Sequence, residues 1–217
     1  NVSHELKTPL QSIIGSAELL ENGLVKPEDQ PRFLSRIHQE ADRLVALIND
    51  ILRLSQLDEG GALPHEQVSV LELAQEAARS LTAQAAAQAV HISVTGTAGT
   101  VFGVRRLLYE IARNLCENAV KYNVPGGSVT VEVAETDRDV TLLVRDTGIG
   151  IPEGDQSRVF ERFYRVDKSH SRAIGGTGLG LSIVKHAVAY HHGTLRLESQ
   201  PGKGTVITVT LPKKPTE

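Results

Sequence analysis

Methionine and tryptophan are absent from all 217 residues, cysteine occurs once, and phenylalanine and tyrosine contribute four residues each. A single Cys116 cannot close an internal disulfide, which excludes a disulfide scaffold and fits a reducing compartment. No stretch approaches the ~18 consecutive apolar residues of a membrane-spanning helix, and no basic-then-apolar leader opens the chain. The formal net charge is only −3 with both signs scattered, so there is no basic stripe for nucleic acid and no nucleic-acid partner is expected. Methionine is missing even at position 1, and the first residues already belong to a motif, so the chain reads as a piece of something longer. What is present is ordinary globular material, 40% hydrophobic, enough for a real core.

Two helical stripes come first. Leu6, Leu10, Ile13, Ala17 and Leu20 are spaced by fours and threes, and after the breaker-rich segment ENGLVKPEDQP the same alternation returns at Leu34, Ile37, Ala41, Leu44, Ile48 and Ile51. Two such helices on a short loop make an antiparallel hairpin, and pairing two hairpins into a four-helix bundle would bury the seam, so a homodimer is expected. The Gly-Gly, Pro and charges of LDEGGALPHEQ then break the helical period. The boundaries that follow are a hairpin domain over 1–58, a linker over 59–67 and a second domain over 68–217. In that second domain, helical segments near 68–88, 104–122 and 180–191 alternate with strand patterns. Val129, Val131 and Val133 against Val140, Leu142 and Val144 make a hairpin with one buried face. The expected fold class is α+β: a helical hairpin followed by a two-layer α/β sandwich with helices on one face of a mostly antiparallel sheet.

Four stretches of the second domain are not what a plain fold would choose. Glu110, Asn114, Asn118 and Lys121 recur at i, i+4, i+8 and i+11 along one helix stripe bordering the apolar stripe Ile111, Leu115, Ala119. Asparagine is a poor residue for a helix interior, so two in register call for a reason. Their amide oxygens suit a hydrated Mg²⁺, and Lys121 suits a phosphate. In RDTGIGIP, Asp146 ends a strand ahead of Gly148 and Gly150; the carboxylate can accept from the exocyclic amine of a base and the glycines allow close approach. In GGTGLGLSIVKH, Gly175, Gly176, Gly178 and Gly180 lead into a helix N-terminus, an arrangement of backbone N–H groups and dipole that suits phosphate oxygens. Neither a Walker A loop nor a Rossmann fingerprint is present. Between them VFERFYRVDKSHSRAI, anchored by Phe160, Phe163 and Tyr164, reads as a lid. Thr205 starts the last strand and is a candidate to complete a base pocket. The late histidines His186, His191 and His192 lack i, i+4 spacing, and solvation of a helix end accounts for them.

With the register set by the seam, His4 lies roughly 160° round the helix from Leu6 and points to solvent, with Thr8 about 40° from it on the same face. The zinc motif H-E-x-x-H would need a histidine where Thr8 stands. An accessible neutral imidazole is a good nucleophile near pH 7, Glu5 can take or hold its proton, and Pro9 withholds an N–H from the carbonyl of Glu5, which loosens the helix just past the nucleophile.

Taken together, NVSHELKTPL, NLCENAVKYN, DTGIGIP, FERFYRVD and GGTGLGLSIVKH resemble, in order, the H, N, G1, F and G2 boxes of the sensor histidine kinases of two-component systems. The wording of the H box and lid is similar to the phosphate-regulon and cell-wall-stress sensors. The resemblance implies a dimerisation and phosphotransfer hairpin, truncated at its N-terminus, and a Bergerat-type ATP-binding domain. It implies ATP and Mg²⁺ as cofactors, His4 as phospho-acceptor, Glu5 as acid/base, and Thr8 as the residue that positions water when the partner is dephosphorylated. It also implies Asn118 as metal ligand with Asn114 beside it, and Lys121, Tyr122, Asp146, Gly148, Gly150, the run Gly176, Thr177, Gly178, Leu179, Gly180, and Thr205 as nucleotide contacts. The implied activity is autophosphorylation of His4 and transfer to an aspartate of a response regulator receiver domain, with phosphatase activity toward it. The implied setting is the cytoplasmic portion of a membrane-anchored bacterial sensor, anchored only through a region upstream of this chain. Glu117, where the family often has Asp, keeps the charge. The competing reading is a catalytically silent dimerisation and docking module of the same fold.

Overall fold

The computed structural model describes residues 2–58, 63–166 and 176–214. Helix α1 (Val2–Glu21) runs through Pro9 and stops where Gly23, at φ +65°, lets the chain turn: the Gly23 N–H donates to Leu20 O and the Leu24 N–H to Leu19 O, satisfying two end carbonyls. Helix α2 (Gln30–Asp58) returns alongside it to complete the hairpin. In the single chain the anticipated seam is only half covered. Leu6, Ile13, Ile37, Leu44 and Ile51 are partly buried, while Leu10, Leu34 and Ile48 stay exposed. The deeply buried residues of α2 are instead Leu47 and Leu54, on a face that meets the second domain.

That domain opens with β1 (Glu66–Ser69), paired antiparallel to β3 (Thr100–Gly103). Strand β1 begins inside the anticipated linker and includes residues expected to be helical. Val68 is buried opposite Val101, and a partner so far along the chain leaves no local trace. Ser69 then caps α3 (Val70–Ser80), its hydroxyl accepting the Glu72 N–H. After α4 (Thr82–Ala87) come β2 (His91–Gly96), α5 (Arg105–Lys121), β4 (Ser128–Glu135) and β5 (Asp139–Asp146). A short α6 (Glu153–Gln156), then α7 (Gly180–Tyr190), β6 (Thr194–Gln200) and β7 (Gly204–Pro212) complete the described chain. The five-stranded sheet has the order β2-β4-β5-β7-β6, with β2 parallel to β4 and the remaining pairs antiparallel. Alternation does what it should: Val129, Val131, Val133, Val140, Leu142, Val144, Val209 and Leu211 are buried under α3, α5 and α7. The two-layer arrangement places the C-terminal end of α5, the N-terminal end of α7 and the β5 end around one cleft.

His191 is not solvated, contrary to the sequence expectation. It is 9% exposed, its Nε2 accepts the N–H of Val104 at 3.0 Å, and its Nδ1–H donates to Ala187 O at 2.7 Å. Both ring nitrogens are thus committed to the neutral form. Its neighbour His65 stacks between Phe102 and Tyr190, tying the approach segment to the domain. Burial pushes the His191 pKa down, the Ala187 carbonyl partly opposes this, and His65 and His192 add to the lowering. The unfolded chain therefore binds the extra proton more readily than the folded one. The stability from neutral His191 is complete above the unfolded value of about 6.5 and drains away as pH falls below it toward the folded value, with a limiting slope of ~1.4 kcal/mol per pH unit. Thermal melts between pH 7.5 and 5 are expected to show the wild-type midpoint falling more steeply than that of His191→Gln, which has nothing to titrate there. Parallel curves would refute the assignment.

Candidate functional site

The cleft is floored by the polar stripe of α5. Asn114 Nδ2 donates to the carbonyl of Glu110 at 2.8 Å and to its carboxylate Oε2 at 3.3 Å, so the amide oxygen faces the opposite way. A side chain on Gly180, the first residue of α7, would begin 2.8 Å from that oxygen and 3.8 Å from Asn118 Nδ2. The stripe and the helix N-terminus therefore approach so closely that only glycine fits at position 180. Higher up, a Cβ on Gly176 would lie 2.7 Å from Lys121 Nζ and 3.7 Å from the Tyr122 hydroxyl. Lys121 has its pKa lowered chiefly by burial, with Glu117 opposing and Arg165 and Arg43 adding to the lowering. Burial likewise pushes Tyr122 up. An anion entering here would favour the charged form of Lys121. The two amide oxygens are neutral hard donors, which suits a cation that keeps most of its waters and arrives with phosphate. Among the described residues no group of three His, Cys, Asp or Glu side chains could hold a metal by itself.

The far end is built on Asp146. Its Oδ1 accepts the N–H of Gly148 at 2.8 Å and of Thr205 at 3.2 Å. Burial raises its pKa, and those two hydrogen bonds pull it back only in part. The strands approach so closely here that a Cβ on Gly204, at φ +88°, would run into the carbonyl oxygen of Asp146. Gly150 stands in the same relation to Gln200, and Gly148 to the carbonyl of Tyr122, to which the Ile149 N–H donates at 3.1 Å. Asp146, Gly148, Gly150, Thr205 and Tyr122 are thereby brought to one wall.

The glycine-rich end of the cleft touches the hairpin. Leu179 and Ile183 pack with Leu47, Ile51 and Leu54 of α2, joined by Leu6 and Phe163. Above this patch the Thr177 hydroxyl donates to Asp50 Oδ2 at 2.7 Å while accepting the Leu179 N–H at 3.2 Å. Gly178 is fixed by the Phe163 N–H, which donates to its carbonyl at 2.9 Å. His4, two residues before Leu6, is exposed; Glu5 is half-buried, and the Thr8 hydroxyl donates back to the His4 carbonyl at 3.1 Å.

The structure thus brings Asn114, Asn118, Lys121, Gly176 and Gly180 together at one end and Tyr122, Asp146, Gly148 and Thr205 at the other, while Thr177 and Leu179 turn to the hairpin. Gly175 and the lid positions Asp167 to Ile174 lie outside the described residues. The sequence reading missed Asp50, Leu47 and Leu54. A signal existed for the leucines, since Leu47, Ile51 and Leu54 are spaced by four and three on a face of α2 that the seam does not exhaust. It also missed Ser199 and Gln156, whose hydrogen bonds to Ile151 close the wall behind Asp146.

Residues 1–60 match the model of the His Kinase A (phospho-acceptor) domain, and residues 103–215 match that of the histidine kinase-, DNA gyrase B-, and HSP90-like ATPases. The chain is 42% identical over 219 residues to the sensor-like histidine kinase SenX3 of Mycolicibacterium smegmatis, covering 99% of this chain and 56% of that protein. Among solved structures, the mycobacterial sensor histidine kinase MprB superposes with a TM-score of 0.61 at 33% identity, over 70% of this chain and all of the other. Full-length ShkA in complex with AMPPNP gives 0.71 at 28% identity, over 97% of this chain and 44% of the other. The chain spans about half the length of the curated SenX3 relatives it matches.

Proposed function

Since the chain belongs to the sensor histidine kinases of two-component systems, we propose that it binds ATP in this cleft, phosphorylates His4 and passes the phosphoryl group to an aspartate on the receiver domain of a response regulator. One observation carries the reading: the loop at the α7 N-terminus faces Asn114, Asn118 and Lys121, while the residues that follow it pack on the hairpin against Leu6, two positions from an exposed His4. The AMPPNP held by ShkA, an analogue of ATP, supports the choice of nucleotide.

In this scheme Asp146 and Thr205 hold the adenine, Tyr122, Gly148 and Gly150 shape its slot, and the amides of 176–180 with Lys121 take the phosphates. Asn118, with Asn114 beside it, would hold Mg²⁺, which supplies charge neutralisation on the phosphates when bound. A ring nitrogen of His4 attacks the γ-phosphorus: the N–P bond forms, the bridging P–O bond breaks, ADP leaves, and Glu5 accepts the ring proton. Transfer then exchanges the N–P bond for a mixed anhydride on the receiver aspartate. In the separate dephosphorylation Thr8 would orient a water that attacks this phosphorus, releasing inorganic phosphate and the free aspartate, once its hydroxyl turns from the His4 carbonyl. The exposed Leu10, Leu34 and Ile48 form the stripe that a second copy would cover in a four-helix bundle. The setting we propose is the cytoplasmic portion of a membrane-anchored sensor; among the described residues no helix is long and apolar enough to cross a membrane.

The test is to incubate the protein with γ-labelled ATP and Mg²⁺. A phosphoramidate is labile in acid and stable in alkali, and that pattern is expected of the label. Acid-stable label, or bound nucleotide with no label at all, would overturn the proposal, the latter in favour of a silent docking module.

A further inference from the structure

The run 176–180, proposed to take phosphate, carries one polar side chain, Thr177, and that side chain faces the hairpin. Its hydroxyl proton goes to Oδ2 of the half-buried Asp50 at 2.7 Å, and its oxygen takes the Leu179 N–H at 3.2 Å. Two donors of the phosphate loop are therefore already committed, one of them to a carboxylate of α2. The contact belongs to a continuous face. Arg43, Leu47, Asp50 and Leu54 are spaced by four, three and four along that helix. The two leucines pack with Leu179 and Ile183, and Arg43 stands near enough for its charge to help lower the Lys121 pKa. This face of α2 thus runs along the phosphate end of the proposed site, and Asp50 is the acceptor on it that meets the loop.

A carboxylate and a phosphate make the same demand on this loop. Both are anionic oxygen acceptors, and a hydroxyl has one proton to give. A phosphate oxygen that takes the Thr177 proton displaces Asp50 from it, and a phosphate held anywhere along 176–180 brings its charge toward a carboxylate oxygen 2.7 Å from the Thr177 hydroxyl. Occupation of the loop by Asp50 and by phosphate are therefore opposed. The packing of Leu47 and Leu54 on Leu179 and Ile183 involves no charge and takes no side in that competition.

We infer that Asp50 is a specificity-determining residue supplied to the nucleotide site by the hairpin: its carboxylate competes with the phosphate groups of the nucleotide for the Thr177 hydroxyl, lowering the affinity of the loop for phosphate while leaving recognition of the nucleoside untouched. By linkage, phosphate binding breaks the Asp50–Thr177 bond and frees the loop from α2, and the two events weaken each other by the same factor. A loop that must bring a phosphoryl group to His4 needs such a release from the helix it rests on. The inference rests on the assignment of this cleft to ATP.

The experiment is a residue-against-ligand cycle on the whole chain, measuring displacement of a fluorescent nucleotide by ADP and by adenosine, which has no phosphate. Asp50→Ala is expected to tighten ADP about fivefold and to leave the weaker adenosine within about 1.5-fold, because the group that the carboxylate opposes is absent from that ligand. Alanine is a strong helix former, and Leu47 and Leu54 stay in place, so α2 and its apolar contact persist. Asp50→Asn, which keeps the shape and a neutral acceptor, is expected to tighten ADP about threefold, and it carries the test alone should the alanine variant not fold. Weakened ADP binding would show that the carboxylate orders the loop for phosphate instead of competing with it, and would overturn the inference. Unchanged ADP affinity, or equal gains for ADP and adenosine, would overturn it as well and leave Asp50 as a prop between the domains. A wild-type chain that binds neither ligand would instead sink the ATP assignment itself, and this inference with it.

Discussion

His4→Gln protein, given labelled ATP and Mg²⁺, is expected to bind the nucleotide with unchanged affinity and to incorporate no label, a loss of at least ~1000-fold in phosphorylation rate from removal of the nucleophile. The split between binding and chemistry follows from the geometry. His4 is exposed near the start of α1, and the contacts that define the cleft come from α5, the 146–152 loop, the α7 N-terminus and β7. Glutamine is a good helix former of similar reach, so α1 keeps its length and Thr8 keeps its bond to the carbonyl at position 4. What disappears is a ring nitrogen with an available lone pair, since the amide nitrogen of glutamine is not nucleophilic. Filter binding of nucleotide and label incorporation, measured on the same preparation, separate the two effects. Persisting label would move the nucleophile elsewhere, and a matching loss of nucleotide binding would mean that position 4 shapes the cleft rather than attacks from outside it.

Legibility in the sequence followed the range of the interactions. The α5 stripe could be read because i, i+4 and i+8 are neighbours on any helix, and Asn114 and Asn118 do both face Gly180. The β4–β5 hairpin could be read because strict alternation names its buried face, and Val129, Val131 and Val133 are indeed enclosed. Interactions between distant segments left no such mark. Strand β1 pairs with β3 across the whole of α3, α4 and β2, so its four residues merged into the helical pattern beside them. His191 looked like a helix-end histidine because its partner, the N–H of Val104, is 87 positions away. Asp50 and Thr177 are 127 positions apart, and an aspartate on a polar helix face gives no warning that it will reach a glycine loop. The seam shows a different limit. The 3.5-residue repeat on α2 was real, but it described one face, and the helix has a second: Leu47, Ile51 and Leu54 hold the ATP-binding domain against the hairpin while Leu34 and Ile48 remain open. A helix that must satisfy two neighbours carries two overlapping stripes, and periodicity reports the longer.

Asp146→Asn is expected to reduce ADP and ATP affinity by about 100-fold, close to 3 kcal/mol, while the protein melts no lower than wild type near pH 7. Asparagine fills the same volume. Its Oδ1 can still accept the N–H groups of Gly148 and Thr205, so the wall of the pocket and the close approach of Gly204 to the backbone of residue 146 survive. The second carboxylate oxygen, however, becomes an NH₂ group. An adenine amine would then meet a donor where it needs an acceptor, losing a charge-assisted hydrogen bond and gaining a repulsion. Stability should move the other way. Burial raises the Asp146 pKa, so the folded protein holds the ionised form less well than the unfolded chain does; that deficit exists at pH values above the raised pKa and vanishes as acid protonates the group. The neutral amide removes the deficit at pH 7. Calorimetric titration with ADP alongside thermal melting tests both halves together. Retained affinity would show that the base is read elsewhere, and a large fall in melting temperature would show that the ionised carboxylate holds the loop in a way its two backbone bonds do not account for.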